Sequence, residues 1–224
     1  MTITVLLEGI SGQTERGWLG WSSVILLQSG GKNILYDTGA YNDRPKLVER
    51  LHNCYLAPSD IHAVIVSHLH FDHIANIDLF SNAVWSIHEN ELERTGELLN
   101  PSPEPYRRWI LQQPNLKLIS NRCCPVHPGI DVILTPGHTP GSCSALVKAD
   151  KPVLLAGDTI KDRQDLARVR TLAGEQLREL LKQAEVIIPG HDCPLLPDGN
   201  PLKKTTVHWI ETAAQMEVRH GRPD

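Results

Sequence analysis

Histidine and aspartate residues cluster tightly in one part of this chain, in the sequence His-Leu-His-Phe-Asp-His at positions 68–73. Three more such residues follow singly, each next to a glycine after an apolar run: His138, Asp158 and His191. Imidazole nitrogens and carboxylate oxygens are groups that bind zinc and similar ions in proteins. Apolar runs that end in Gly or Pro turns place such residues at strand ends. The pattern therefore predicts a fold in which several strand ends meet around a metal site.

The residues of the 68–73 cluster divide into two predicted sets of ligands. Residues two apart in an extended segment share a face, so His68 and His70 can bind one cation together. Asp72 and His73 then turn toward a second cation a few ångströms away. This arrangement is typical of a two-metal site that activates water for hydrolysis.

The three later residues complete the two predicted sets. Two cations about 3.5–4 Å apart repel each other, and a shared carboxylate is the ligand that best offsets this repulsion. Asp158 follows the apolar run 153–156 and is placed to form that bridge. His138 completes the set of the first cation, and His191 completes the set of the second.

Length and composition suit one compact domain covering residues 1–224, of which 41% are hydrophobic. The net charge of −4 provides no overall basic surface for nucleic acid. Residues 1–8 read as a strand rather than a signal peptide, and no apolar run approaches the ~20 residues that span a bilayer. We therefore predict a cytoplasmic protein without a membrane partner. The five cysteines include no Cys-x-x-Cys pair and predict neither a disulfide framework nor a zinc knuckle.

Apolar runs and turn residues predict the secondary structure. Strands are predicted at 2–7, 23–28, 33–36, 63–66, 84–87, 132–134, 143–147, 153–155 and 186–188. Helices are predicted at 43–54, 89–99, 175–184 and 205–218. The prolines of the segment 100–128 indicate a surface excursion there. Because strands dominate each half, with helices between or after them, we expect an α/β (α+β) fold: a four-layer αβ/βα sandwich of two facing sheets.

At these positions the chain resembles the metallo-β-lactamase-fold hydrolases. The resemblance covers nearly the whole chain, from Asp-Thr-Gly at 37–39 through the 68–73 cluster to the turns bearing the three later residues. It implies two zinc ions per chain, although the same kinds of ligand also accept manganese or iron. It assigns the ligands as follows: metal 1 to His68, His70 and His138, metal 2 to Asp72, His73 and His191, and the bridge to Asp158. Asp37 would tie the turn beneath the site.

The reaction implied by the resemblance is hydrolysis of an ester-like bond. Two zinc ions lower the pKa of the water between them toward ~7, and the resulting hydroxide attacks an electrophilic carbonyl or phosphorus. Asp72 or Asp158 then carries the proton to the leaving group, and we favour Asp158. A lactone is the predicted substrate.

Two branches of the family are similar to this chain in detail. The motifs at 68–73 and 135–141 look like those of the N-acyl-homoserine lactonases. Those enzymes often carry a tyrosine three residues after the bridging aspartate, where this chain has Lys161. Small single-domain proteins similar to metallo-β-lactamase domain-containing protein 1 resemble the chain at 5–9 and 186–191. That second branch includes an RNA nuclease, so a phosphodiesterase is one alternative.

Two further activities are alternatives within the same fold. Thioesterases of the glyoxalase II type append a helical domain, which the residues after His191 would hold only in truncated form. Mononuclear iron persulfide dioxygenases share the cluster but bind one iron through two histidines and one aspartate. Two zinc ions per chain would indicate a hydrolase, and one iron would indicate an oxygenase.

Substrate contacts are predicted for Lys161 and for two aromatic segments. The long connection after the first strand carries Trp18 and Trp21, whose indoles can cover an acyl chain or stack on a base. Tyr106 and Trp109 are expected to form the opposite wall. Alternatively, these aromatic residues anchor loops to the core or make a homodimer contact. The predicted partner is a small ester or lactone, and nucleic acid is not favoured.

Overall fold

Two β-sheets form the centre of the computed structural model, which describes residues 1–15, 17–18, 20–92, 104–172, 174–202 and 210–211. Within those residues, the larger sheet contains β1 (Thr2–Leu7), β4 (Val24–Ser29), β5 (Lys32–Tyr36), β6 (Ala63–Ile65), β7 (Val84–His88), β8 (Leu116–Ile119) and β14 (Ile210–Glu211). Its strand order is β14-β1-β4-β5-β6-β7-β8.

The smaller sheet contains β9 (Cys123–His127), β10 (Ile130–Leu134), β11 (Cys143–Val147), β12 (Val153–Gly157) and β13 (Val186–Pro189). Its strand order is β13-β12-β11-β10-β9. A short separate hairpin pairs β2 (Gln13–Thr14) with β3 (Gly17–Trp18).

The helices surround the two sheets. They are α1 (Arg44–Asn53), α2 (Phe71–Ile74), α3 (Glu104–Leu111), α4 (Arg163–Leu172) and α5 (Glu175–Lys182). Single 3₁₀ turns lie at Tyr41–Asp43, Pro58–Asp60, Ile77–Phe80, Glu89–Glu91 and Asp158–Ile160. Among the residues that the structure describes, no helix has both the length and the apolar character that crossing a membrane requires.

Apolar side chains of both sheets meet in the middle of the molecule. Alternate residues of a strand point to opposite faces, so Ile25 and Leu27 of β4 share one core with Ala145 and Val147 of β11. The other face of each sheet is covered by helices. α1 and α3 contribute Leu47, Leu51 and Ile110 to the core outside the larger sheet. α4 and α5 contribute Leu166, Leu180 and Leu181 outside the smaller sheet. This arrangement of helices, sheet, sheet and helices confirms the predicted four-layer sandwich.

Strand direction brings the predicted site residues to one edge of the sandwich. β5 runs parallel to β6, and β12 runs parallel to β13, so the carboxyl ends of each pair lie together. β11 is antiparallel to both β10 and β12. The β10–β11 loop therefore leaves the smaller sheet at the same end as the segments that follow β12 and β13. Each predicted ligand lies in a segment that follows one of these strand ends.

The segment 100–128 was predicted to be a surface excursion, and this prediction was incomplete. It contains α3, β8 and β9, and it carries the chain from the edge of the larger sheet to the edge of the smaller one. Pro125 lies within β9, which an edge strand tolerates because one side of its backbone needs no partner strand.

Two predicted helices fall largely outside the described residues. Of the helix predicted at 89–99, the described part forms a 3₁₀ turn at Glu89–Glu91. The helix predicted at 205–218 is wrong at its described residues, because Ile210 and Glu211 pair with Ile3 and Thr4 of β1 as a parallel strand. Tertiary pairing with β1 outweighs the local preference there.

Candidate metal centre

The structure brings all seven predicted ligands together in two groups. Within each group, one nitrogen or oxygen atom of every residue lies within 4.8 Å of those of the others. The first group consists of His68, His70, His138 and Asp158. The second group consists of Asp72, His73 and His191. The division follows the sequence prediction for the two cations.

Asp158 lies between the two groups. Its Oδ2 atom is 3.2 Å from His138 Nε2. Its Oδ1 atom is 3.2 Å from His73 Nε2 and 3.1 Å from His191 Nε2. His191 Nε2 is also 3.4 Å from Asp72 Oδ2. One carboxylate oxygen of Asp158 therefore faces the first group and the other faces the second, which suits a bridging ligand.

In His73 and His191, a hydrogen bond at Nδ1 orients the imidazole ring so that Nε2 faces the other candidate ligands. His73 Nδ1 lies 2.7 Å from Asp37 Oδ2, and His191 Nδ1 lies 3.0 Å from the carbonyl oxygen of Trp21. Both oxygens accept, so each Nδ1 donates its hydrogen, and in a neutral ring the lone pair is then on Nε2, which faces the centre. Metal-binding histidines are commonly oriented in this way by a carboxylate or a carbonyl.

Asp37 also connects the two groups through Ser67. Asp37 Oδ1 accepts a 2.7 Å hydrogen bond from Ser67 N, and Oδ2 accepts one of 2.7 Å from Ser67 Oγ. Ser67 Oγ lies 3.0 Å from His68 Nδ1. The backbone of Asp37 has φ 59°, a left-handed conformation that aspartate adopts more readily than most residues. Asp37 thus ties the turn beneath the site, as the resemblance implied.

The inward-facing atoms fit a bound cation. His68 Nε2, His73 Nε2 and Asp158 Oδ1 are buried and have no hydrogen-bond partner among the described residues. An unpaired buried polar atom costs about 1–3 kcal/mol. His73 Nε2 lies 3.2 Å from Asp158 Oδ1, and a metal ion held by these atoms would relieve this cost. His70 Nδ1 and His138 Nε2 also face each other, at 2.9 Å.

The electrostatic surroundings of the histidines differ between the groups. Burial lowers the pKa of His68 and of His138, and it lowers the pKa of His70 to about 3. These three imidazoles are therefore neutral near pH 7 and can bind a cation without losing a proton. Burial also acts to lower the pKa of His73, but the neighbouring carboxylates, Asp37 foremost, raise it well above its ordinary value.

Two glycines let the strand ends approach each other. A Cβ atom on Gly190 would lie only 2.2 Å from Asp158 Oδ1 and 3.0 Å from the carbonyl carbon of Gly157. Gly157 itself has φ +53°, and a Cβ atom there would lie 2.8 Å from the Cβ of Ser67. The glycines that precede Asp158 and His191 are therefore required by the close packing of the two turns.

A pocket opens onto both groups and extends between the start of α4 and the start of α5. Beyond the candidate ligands, its longer polar and charged side chains are Arg122, Lys161, Gln164, Arg168, Glu175 and Gln176, and the shorter carboxylates Asp162 and Asp165 also line it. Its apolar side chains include Phe71, Val169 and Leu177. The pocket can therefore accept a substrate that has polar as well as apolar parts.

The residues predicted to contact substrate lie in different parts of the structure. Lys161 lines the pocket, and its Nζ lies 3.7 Å from Asp158 Oδ2. Tyr106 and Trp109 pack instead against the core outside the larger sheet, where the ring of Trp109 lies 5.1 Å from that of Trp85. The predicted wall of Tyr106 and Trp109 is therefore corrected: α3 turns its apolar side chains toward the outer layer, away from the candidate ligands.

The two tryptophans of the first connection are described only in part. Trp21 is half-buried, and its carbonyl oxygen contacts His191. Its side chain is not among the described residues that line the pocket. The backbone of Trp18 lies in β3, and its side chain lies outside the described part of the chain. A contact between Trp18 and substrate stays a prediction.

Some residues of the site were not predicted from the sequence. Ser67 directly precedes the 68–73 cluster, and this adjacency is a signal that could have identified it. Arg122 and Gln176 come from distant segments, and the Arg122 guanidinium donates a hydrogen bond to Gln176 Oε1 at the pocket wall. No local pattern marks these two residues, because only the fold brings them together.

Comparison with known proteins places this site in a family. Residues 18–191 match the model of the metallo-beta-lactamase superfamily. Metallo-beta-lactamase domain-containing protein 1 of Xenopus laevis is 30% identical over 201 residues, which cover 86% of this chain and 80% of that protein. An N-acyl homoserine lactonase of a Bacillus species is 29% identical over 175 residues, which cover 70% of this chain and 68% of the lactonase.

A solved structure shares the fold at lower sequence identity. It is a mutant of AiiA from Bacillus thuringiensis with N-decanoyl-L-homoserine bound at the active site, and it covers 85% of this chain with a TM-score of 0.65. The alignment is 22% identical and includes 92% of the AiiA chain. The chain described here belongs to the metallo-beta-lactamase superfamily. It is a metal-dependent hydrolase, like the members of that superfamily.

Proposed function

We propose that this protein hydrolyses a lactone, best represented by an N-acyl-homoserine lactone, or a related carboxylic ester, at a site that holds two zinc ions. One observation carries the proposal: two groups of candidate ligands meet at Asp158, whose two oxygens face different groups. A site for a single cation would need only one such group. The second group includes two buried histidines and a buried carboxylate, which together suit a zinc ion.

The choice of a lactone is supported by the relatives and by the pocket. A relative with 29% identity is named N-acyl homoserine lactonase, and a protein of the same fold holds N-decanoyl-L-homoserine at its active site. The mixed polar and apolar lining of the pocket suits a substrate with a polar ring and an acyl substituent. The ester carbonyl would lie at the candidate ligands, and the acyl group would extend toward α4 and α5.

The roles of the side chains follow from their positions. Bound zinc would supply an activated water molecule and positive charge for the carbonyl oxygen. Asp158 borders both groups, so its carboxylate is the favoured carrier of a proton to the leaving oxygen. Asp72, at the edge of the second group, is the alternative carrier. Lys161 places a positive donor beside Asp158, where the lactonases often have a tyrosine.

The proposal is tested by metal content and ring opening measured on the same preparation. The protein is stripped with a chelator, reloaded with zinc and assayed with N-hexanoyl- and N-decanoyl-homoserine lactone. We expect two zinc ions per chain and an efficiency above about 10⁴ M⁻¹s⁻¹, in the usual range of enzymes. Stripping should abolish turnover. A zinc-loaded protein that opens neither lactone, nor simple esters, would contradict the proposal.

A phosphodiester is the second candidate substrate, and the pocket gives one reason for it. Arg122, Lys161 and Arg168 all line the pocket and could attract a phosphate group. Against this, Arg168 Nη1 lies 3.1 Å from Asp165 Oδ1, so part of its charge is already balanced. Cleavage of single-stranded RNA by a preparation that is inactive on lactones would favour the phosphodiesterase.

A further inference from the structure

Glu91 is a buried acidic residue that belongs to neither group of candidate ligands. It ends the 3₁₀ turn Glu89–Glu91 and is only 5% exposed. Its Oε2 atom accepts a 2.9 Å hydrogen bond from Leu69 N. Its Oε1 atom accepts one of 2.9 Å from Gly141 N and a second from Thr139 Oγ1. Both oxygens of the side chain are therefore engaged, and they are engaged by two different segments of the chain.

The three donors flank histidines of the first group. Leu69 lies between His68 and His70, and its own side chain is buried in the core outside the larger sheet. Thr139 directly follows His138. The 68–73 segment follows β6 of the larger sheet, whereas the 135–141 segment follows β10 of the smaller sheet. Glu91 thus joins the two sheets at the point where they supply the histidines of the first group.

The fold leaves space for this contact at one specific glycine. A Cβ atom on Gly141 would lie 2.5 Å from Glu91 N and 2.7 Å from Glu91 Cγ. Any larger residue would force Glu91 away from the 135–141 turn. The second group is held differently, because Asp37 and the carbonyl of Trp21 orient its two histidines.

We propose that Glu91 is a positioning residue for the metal ion of the first group. Glu91 accepts hydrogen bonds from the 68–73 segment and from the 135–141 segment. It thereby sets the distance between His138 and the pair formed by His68 and His70. The inference rests on the metal roles proposed above. A glutamine at position 91 could still accept a hydrogen bond from one segment through its carbonyl oxygen. Its NH2 group would face a donor of the other segment, so the hydrogen bond on that side would be lost.

The test measures the zinc affinity of two background variants, each of which keeps one group of candidate ligands intact. His191→Ala disables the second group, and His138→Ala disables the first. Glu91→Gln is introduced into each, and zinc affinity is measured by competition with a chromophoric chelator. Loss of a residue that orients metal ligands typically weakens binding about 10–100-fold, so we expect that loss in the His191→Ala protein and little change in the His138→Ala protein. The visible absorption bands of bound cobalt(II) should change in the same selective way.

Glu89→Gln is the matched control, because it makes the same chemical change on the same turn. It should alter zinc affinity in neither background. Equal weakening in both backgrounds, or no weakening in either, would overturn the role of Glu91. Failure of the unmutated protein to bind zinc would instead overturn the metal roles themselves.

A second variant keeps the test decisive if Glu91→Gln does not fold, as judged by near-ultraviolet circular dichroism. Thr139→Val removes one of the three donors to Glu91 and preserves the shape of the side chain. We expect it to weaken zinc binding severalfold in the His191→Ala background only. An affinity equal to that of His191→Ala alone would refute the inference.

Discussion

The two groups of candidate ligands meet at Asp158, but they differ in their exposure to the pocket. In the first group, His70 and His138 are half-buried, whereas all three members of the second group are buried. The supports differ as well. Glu91 contacts the backbone beside the first group, and Asp37 contacts a ring nitrogen of the second group directly.

This difference shows how one fold can combine a group of candidate ligands that is accessible from the pocket with a group that is held more firmly. Each group combines residues that follow β6 of the larger sheet with a histidine that follows a strand of the smaller sheet. In the first group, Glu91 joins the backbones of the two segments that supply them. The second group depends more on side-chain hydrogen bonds within the core. Three variants should separate these contributions, in addition to the test of Glu91.

Asp158→Asn should have the largest effect, because it removes the carboxylate that the two groups share. A neutral amide offsets the repulsion of two cations poorly. We expect kcat to fall by about 10³-fold, comparable to losing a group that stabilises developing charge, and zinc content to fall below two per chain. Steady-state kinetics and metal analysis of the same sample provide the measurement. Asp150→Asn, an exposed position away from the site, is the control. An unchanged rate with both metals retained would remove Asp158 from the bridge.

Asp37→Asn should affect the second group more than the first. Its amide nitrogen would meet the Nδ1 hydrogen of His73, which favours the wrong tautomer or a rotated ring. We expect zinc binding to weaken about 10–100-fold in the His138→Ala background. The weakening should be smaller in the His191→Ala background, which reverses the selectivity expected for Glu91→Gln. Chelator competition measures both. The same loss in both backgrounds would mean that Asp37 acts on the whole site through Ser67.

Lys161→Met should have the smallest effect and should leave zinc content unchanged. The lysine lines the pocket beside Asp158, and a hydrogen bond from a charged donor contributes about 1.5–3 kcal/mol. The lower end of that range corresponds to a fall of about tenfold in kcat/KM, and this is the loss that we expect for a lactone. Lys151→Met, at an exposed position, should retain the original rate, because surface ion pairs contribute little. Equal rates for the two variants would exclude Lys161 from contact with the substrate.

Much of the fold could be predicted from local sequence patterns. The strands at 2–7 and 143–147 were predicted with the boundaries that the structure shows. These are apolar runs bounded by turn residues, and their burial in a sheet follows from that pattern. The pairing of 210–211 with β1 could not be predicted in this way, because it depends on a partner that is distant in sequence. Similarly, α4 was missed, since six of its ten residues are polar.

The sequence by itself determined which seven residues would meet and how they would divide into two groups. Their chemical type, their spacing in the 68–73 cluster and the adjoining glycines are local properties, and these are readable along the chain. Only the tertiary structure decided what surrounds them. It directed Tyr106 and Trp109 to the outer layer and brought Glu91 between two segments from different sheets. Such contacts depend on how the sheets and helices pack, and packing is a property of surfaces that no single segment of the sequence contains.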